Sequence, residues 1–330
     1  MLNIDKYKNS LLNAEEISPE IMQEIHHQKL FQIWVPKQYN GLGLRFSEGL
    51  IVLKNLAKID GSLGWMITLC SGANYFSRNL KPSVAEKIFN IKNVCLGGSG
   101  MIGGTAKKMD KSYKINGLWH YATGAPHLTH FTLNAEIIDE INDNKSHTIK
   151  SFIIPKDQVK IIKNWNSMGM RATNTYSFLL EDVIVNENFT FEYDVFYTDD
   201  AIDRIPFRIF ADLTLIVNYL GLAEHFFLKA SELNSKICIK SFLNIIEKQT
   251  IKILEYANTI ENLTKEKQAN FEKIQHEVHL FCIKILQETT INFINIYTLL
   301  GIKETEIRTE IHQIFRDFFT ATQHANFRNL

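Results

Sequence analysis

Two side chains in the stretch from Asn116 to Phe131 have types and spacing suited to holding a flat heteroaromatic ligand. Tyr121 offers a ring to stack on, and Thr123 a hydroxyl to hydrogen-bond. Two residues apart on a strand, they are expected to leave it on the same face. The strand is expected to open at Asn116-Gly117, a pair that tolerates the positive φ of a tight hairpin, and to stop at Gly124 and Pro126. The same spacing also describes an ordinary hairpin strand. A second stretch, Gly97-Gly98-Ser99-Gly100 with Gly103-Gly104 beyond it, carries so little side chain that a ligand can approach the backbone closely. No Gly-Lys-Ser/Thr follows it and no parallel βαβ pattern surrounds it, so it does not read as a nucleotide phosphate loop.

The elements that must position these residues fall into three blocks. Over 1–92 the apolar spacing is helical. Ser18-Pro19-Glu20 is a helix start with a capping serine and a proline in the first turn, and Ser47 is expected to cap a second helix. Asp60-Gly61-Ser62 breaks that helix, and a helix from Leu63 to about Phe76 has no polar face, which predicts burial. Over 93–200 the pattern shortens to strands, among them 131–135 and 147–154, with the carboxylate-rich loop 136–143 between them. Over 201–330 it is helical again. Phe242, Ile246, Thr250, Ile253 and Ala257 mark one stripe; Val278, Cys282, Ile285, Thr289, Phe293 and Ile296 mark another. The expectation is an α+β chain of three parts: an N-terminal helical domain (1–92), a central antiparallel β-barrel (93–200) and a C-terminal antiparallel helix bundle (201–330).

Composition narrows the function classes. With 36 basic and 36 acidic residues in 330, the formal net charge is zero, which argues against nucleic acid or an anionic membrane as the main partner. No apolar run reaches membrane-spanning length and no basic-then-apolar leader opens the sequence. The four cysteines are scattered without a CxxC pair, so neither a disulfide framework nor a metal site is expected, and a cytoplasmic location is the simplest one.

Five strings, in order, carry a resemblance. They are Val35-Pro36-Lys37-Gln38-Tyr39-Asn40-Gly41-Leu42-Gly43-Leu44, Asp60-Gly61-Ser62-Leu63-Gly64-Trp65, Asn116-Gly117 through Gly124, Asn164-Trp165 through Thr173, and Arg316-Asp317 through His324. Together with the helix–strand–helix order they resemble the acyl-CoA dehydrogenase superfamily, and within it the branch of flavin-dependent two-component monooxygenases. The resemblance implies a flavin, FAD or FMN. It implies that Thr123 donates its hydroxyl to flavin N5 and that Tyr121 packs beside the ring. Leu96, Gly97, Gly98 and Ser99 would form a strand end and loop at the pyrimidine side, and Thr173 would lie near the ring or its ribityl chain. Asn74 and Tyr75 would lie near the site. The protein supplies binding and tuning, the cofactor the redox chemistry.

The chain departs from the pattern in three places. The catalytic glutamate of many dehydrogenases falls on Ala325, which cannot take a proton. Other carriers of that role are Asp212, at the start of the bundle, and His324, whose ring suits proton transfer near neutral pH. The front loop after the first strand is short, and the bundle arginine that reaches a dinucleotide pyrophosphate has no counterpart in 230–236. The expected function is therefore a flavin-dependent oxidoreductase acting on an acyl-CoA or related small molecule. The alternatives are a two-component monooxygenase using reduced flavin and oxygen, and a non-catalytic scaffold. A homodimer or homotetramer is expected, with a flavin reductase or electron-transfer partner.

Overall fold

The computed structural model describes residues 4–138, 148–266 and 270–328. His147, the expected start of a strand, and most of the acidic loop 136–143 lie outside them. Five helices come first: α1 (Ile4–Leu11), α2 (Pro19–His27), α3 (Phe46–Ile59), α4 (Gly61–Asn74) and α5 (Pro82–Phe89). Ser18 caps α2 as expected, accepting the Ile21 N–H. The cap of α3 differs from expectation: Ser47 lies buried inside the helix, and Glu48 reaches back to the Arg45 N–H at 3.0 Å. Asp60 both ends α3 and caps α4, accepting the Leu63 N–H at 2.8 Å. Twelve of the fourteen residues of α4 are buried, as its missing polar face predicts.

Seven strands follow: β1 (Leu96–Lys108), β2 (Ser112–Ala122), β3 (His130–Ile138), β4 (Ile149–Pro155), β5 (Lys160–Ile162), β6 (Tyr176–Asn186) and β7 (Thr190–Phe191). They form one sheet in the order β5-β6-β2-β1-β3-β4-β7. The sheet is mixed, where an antiparallel barrel was expected, because β1 and β3 run parallel. The reason is geometric. The β1–β2 hairpin returns the chain to the end where β1 began, so a strand laid on the free side of β1 starts from that same end.

Asn116-Gly117 is not the hairpin turn. The turn lies at 109–112, closed by the Met109 N–H on the Ser112 carbonyl, and Asn116-Gly117 sits mid-strand where the β2–β6 register slips. There Gly117 backs onto Gly104 so closely that an added Cβ would lie 2.5 Å from the Gly104 Cα, and the Trp119 indole packs over both and donates to the Asn134 carbonyl at 2.8 Å.

The remaining helices are α6 (Phe207–Leu233), α7 (Lys240–Leu263), α8 (Glu272–Tyr297) and α9 (Glu310–Ala321). The six stripe residues of α8 are all buried, as the spacing predicts; on α7, Ile246, Ile253 and Ala257 are buried and Phe242 is packed against the core. α6 lies across α3 and also touches α4, α8 and α9, so it joins the N-terminal helices to the bundle. No helix among the described residues is long and apolar enough to cross a membrane.

Candidate active site

The connection from β2 to β3 must cross the start of β1 to set the parallel pair, and the cavity opens at that crossing. Leu128 of the connection lies against Gly97, where a Cβ would be 2.6 Å from its Cδ2. One residue on, a Cβ at Gly98 would stand 1.9 Å from the Thr132 carbonyl oxygen. Gly98 therefore needs to be glycine for backbone to pass backbone, and Gly97 leaves room for the Leu128 side chain. The resulting cavity, about 240 Å³, has the Gly97–Gly100 backbone and Thr132 on one wall, Thr68 and Gly72 of α4 on a second, and Thr214 and Leu215 of α6 on a third. Aromatic rings from Phe76, Phe191, Tyr193, Phe207 and Phe210 crowd one end, and His324 and Asn326 line it too. Among the described residues, no lysine, arginine, aspartate or glutamate lines it.

Of the residues singled out from sequence, Gly97, Gly98, Ser99, Gly100, Thr123 and His324 line this cavity. Tyr121 does not share its face with Thr123. It adopts a left-handed φ of 65° at a register slip between Trp119 and Ala122, which breaks the two-residue alternation. Its ring is 63% exposed, whereas Thr123 is buried. The Leu96 side chain is in the core and its carbonyl accepts the Asn74 amide at 3.3 Å. Asn74 and Tyr75 are buried off the cavity, Tyr75 donating to the Ile202 carbonyl at 2.8 Å. Thr173 sits behind Thr123 rather than in the cavity. Its hydroxyl donates to the Met170 carbonyl at 2.7 Å and lies 2.7 Å from the Thr175 hydroxyl, which in turn lies 3.1 Å from that of Thr123.

The two candidate proton carriers are connected. Asp212 is fully buried on α6, one residue beyond the cavity wall, rather than exposed at a helix end. Its Oδ1 accepts the Asn326 amide at 2.6 Å and its Oδ2 lies 3.0 Å from His279 Nδ1. Arg208 donates to His279 Nε2 at 3.2 Å. Because a guanidinium can only donate, Nδ1 carries the His279 proton and gives it to Asp212. Burial pushes the Asp212 carboxyl upward, against the Asn326 and His279 hydrogen bonds and the Arg208 charge.

Asn326 joins this group to His324: its backbone N–H donates to His324 Nδ1 at 3.3 Å. The neutral His324 ring therefore carries its proton on Nε2. The ring stands edge-on to Trp65 at 5.6 Å, and burial, with the Arg328 charge second, lowers its pKa below the ordinary value. Sequence reasoning missed Thr175, Asn326 and the aromatic end. Nothing in local spacing marks them, since each acts on a residue or wall brought in from elsewhere in the chain.

Residues 3–79 match the acyl-CoA dehydrogenase N-terminal domain. The chain superposes on the 3-HSA hydroxylase of Rhodococcus sp. RHA1 with a TM-score of 0.88, covering 98% of this chain and 90% of that one at 17% identity. The chain has the acyl-CoA dehydrogenase-like fold. XiaF from Streptomyces sp., solved in complex with FADH2 and glycerol, shares this acyl-CoA dehydrogenase-like architecture with a TM-score of 0.85, 98% and 90% coverage and 17% identity. In sequence, the indole-3-acetate monooxygenase of Pseudomonas putida is 24% identical over 213 residues, which is 63% of this chain and 53% of that protein. The matched region thus spans about half the length of this curated relative.

Proposed function

We propose that the chain is the oxygenase component of a flavin-dependent two-component monooxygenase, acting on a small, uncharged aromatic substrate. The observation that carries this reading is the charge-free cavity into which Thr123, the Gly97–Gly100 backbone and His324 converge. A flavin ring fits its chemistry. A wall of glycine backbone admits a flat ring edge, a buried hydroxyl meets its polar atoms, and apolar rings close the far end. Gly98, Ser99 and Thr123 would hold the ring, FMN or FAD, with Thr173 acting from behind. When bound, the flavin supplies the redox chemistry and the reaction with oxygen.

The chain's own residues do the rest. Phe76, Phe191 and Phe207 keep water from the reacting end, and His324 donates a hydrogen bond from Nε2. Asp212 steadies Asn326, which orients that ring. The acyl-CoA expectation finds less support: the cavity has no carboxylate to take an α-proton, and Ala325 is exposed in the turn after α9. The family relatives reported above, a hydroxylase and a monooxygenase by name, favour oxygenation. A flavin reductase that delivers reduced flavin, a homodimer or homotetramer and a cytoplasmic location belong to the same reading.

Titrating FMN and FAD into the purified protein tests it first, followed by flavin fluorescence. Protein that takes up neither in either redox state is a scaffold, and the proposal fails. Photoreduced flavin with oxygen and a panel of phenols and indoles should then yield products one oxygen heavier. Reduction of bound flavin by acyl-CoAs without air would restore the dehydrogenase instead.

A further inference from the structure

A second cavity, about 70 Å³ in volume, is enclosed by α1, the joint between α3 and α4, α6 and α9, and shares no lining residue with the first. Asp317 on α9 is buried. Its Oδ1 accepts the Met170 N–H at 2.5 Å, and its Oδ2 has no hydrogen-bond partner among the described residues. That free oxygen lies against Gly61, which lines the cavity too. His225 on α6 meets the Glu310 carboxylate through Nε2 at 3.0 Å, and Lys229 closes on the same carboxylate at 2.9 Å. A carboxylate can only accept, so the neutral His225 ring keeps its proton on Nε2. Nδ1 is then a bare lone pair, buried and likewise without a partner among the described residues. Asp60 completes the set. Its oxygens accept the Leu63 N–H at 2.8 Å and the Gln313 amide at 2.9 Å, one bond each, where a carboxylate has about four acceptor sites. Gln313 gives its other amide proton to the last carbonyl of α1 at 3.3 Å. The buried side chains thus turn lone pairs and negative charge inward, and among the described residues no lysine or arginine lines the cavity to answer them.

We propose that this second cavity binds an ammonium ion, which donates to Asp317 Oδ2 and His225 Nδ1 beside the charge of Asp60. The inference stands apart from the flavin reading. Size and bond length select the ion. A water takes up about 30 Å³ in the liquid, so the cavity has room for one ion of that size and a companion water. Zinc or calcium would need ligands closed to about 2.0–2.6 Å, and among the described residues no three His, Cys, Asp or Glu side chains are grouped to hold a metal ion. Ammonium needs only acceptors at ordinary hydrogen-bond distance, about 2.7–3.2 Å, and it supplies the donors that two buried acceptors lack, an omission that is otherwise costly. In its absence the free oxygen takes a proton instead, because burial first and the Asp60 charge second push Asp317 up to about 8. Ion and proton compete for one place. The ion would fasten α4 and α6 to α9, the helix that leads into the turn carrying His324.

The test is urea unfolding of the full chain at pH 8.5 and constant ionic strength, in the chlorides of ammonium, potassium and tetramethylammonium. Potassium matches ammonium in charge and size but has no N–H, and tetramethylammonium has no N–H and is too wide to enter. Above its dissociation constant, ammonium should lower the unfolding constant about tenfold for each tenfold rise in concentration, as one site binding the folded state alone requires. Potassium should do far less and tetramethylammonium nothing. With ¹⁵N-ammonium, the bound ion should give an N–H resonance apart from that of the free ion, because the cavity shields its protons from exchange with water. Asp317→Asn, which keeps an acceptor for Met170 without the charge, should abolish both signals. Asp60→Asn, which keeps a capping side chain at the start of α4, supplies a second variant if the first does not fold. Potassium or tetramethylammonium stabilising the natural protein as much as ammonium does, or no response to ammonium, overturns the inference. So does a folded Asn variant that responds to ammonium as the natural protein does.

Discussion

The neutral His324 ring can donate a hydrogen bond from one nitrogen only, because the Asn326 N–H occupies the other. Burial with a cation nearby holds its pKa below the ordinary 6.5, so the ring is neutral at physiological pH. If the neutral His324 ring is the active form, donating a hydrogen bond from Nε2, kcat/KM should rise with pH along an acid limb below 6.5 and stay level above it. His324→Ala should erase that limb and lower turnover by about 10²–10³, the usual cost of removing one positioned hydrogen-bond donor. A limb unchanged in the variant would assign the titration elsewhere. The sign for stability is the same: with the folded value depressed, the unfolded chain takes up a proton first, so this group's stability contribution falls as pH drops through 6.5. At this scale the sequence was partly legible. Thr123 and His324 announce themselves by type and by the strings they close. The face of Tyr121 was misread, because a bulge and a left-handed residue are tertiary solutions that an alternating pattern does not show.

Among elements, one buried carboxyl joins α9 to two remote segments. Asp317 accepts the Met170 N–H at 2.5 Å, tying α9 to the segment that carries Thr173. Its other oxygen faces the start of α4 so closely that a Cβ at Gly61 would be 2.7 Å away. Burial first, and the Asp60 charge second, push Asp317 up to about 8. The folded protein therefore holds a proton here that the unfolded chain, with an ordinary carboxyl near 3.8, has released. This contribution is complete below about 4 and is lost as pH rises towards 8. Asp317→Asn, which keeps an acceptor for Met170 without the charge, should flatten the fall in stability between pH 5 and 8, as read by urea unfolding. A slope equal to the natural protein's would place the proton elsewhere, Asp60 being the neighbour to test. The α8 stripe could be read in advance because burial on one helix face repeats with the helix itself. Asp317 could not: its partners, Met170 and Gly61, are remote in sequence, and no periodicity links them.

For the whole molecule, the joint between the helical start and the bundle is a buried ion pair. Arg78 and Asp203 are both fully buried, with Nε to Oδ1 at 2.7 Å. Arg78 also donates to the Trp34 carbonyl at 2.7 Å and lies over the Tyr75 ring at 4.2 Å. Asp203 accepts from Thr198 and from the Asp200 N–H just ahead of α6. A guanidinium cannot shed its charge, whereas a carboxyl can take a proton. Asp203→Asn should therefore cost about 3–5 kcal/mol, more than Arg78→Met, and the double variant should recover part of the loss. Denaturant midpoints for the three proteins give the ranking, and an Arg78→Met loss exceeding that of Asp203→Asn would contradict it.

The cavity draws its walls from α4, β1, β3, α6 and the turn after α9. His324 and Asn326 come last in sequence among the residues that line it. During synthesis the glycine wall and Thr123 exist roughly two hundred residues before that turn, a lag of some tens of seconds at ordinary elongation rates. A nascent chain can thus own the wall proposed to hold the ring long before it owns the histidine proposed to act beside it. In time as well as in space, the holding of a ligand and the chemistry on it are separate acts, and the second waits for the C-terminal turn to close.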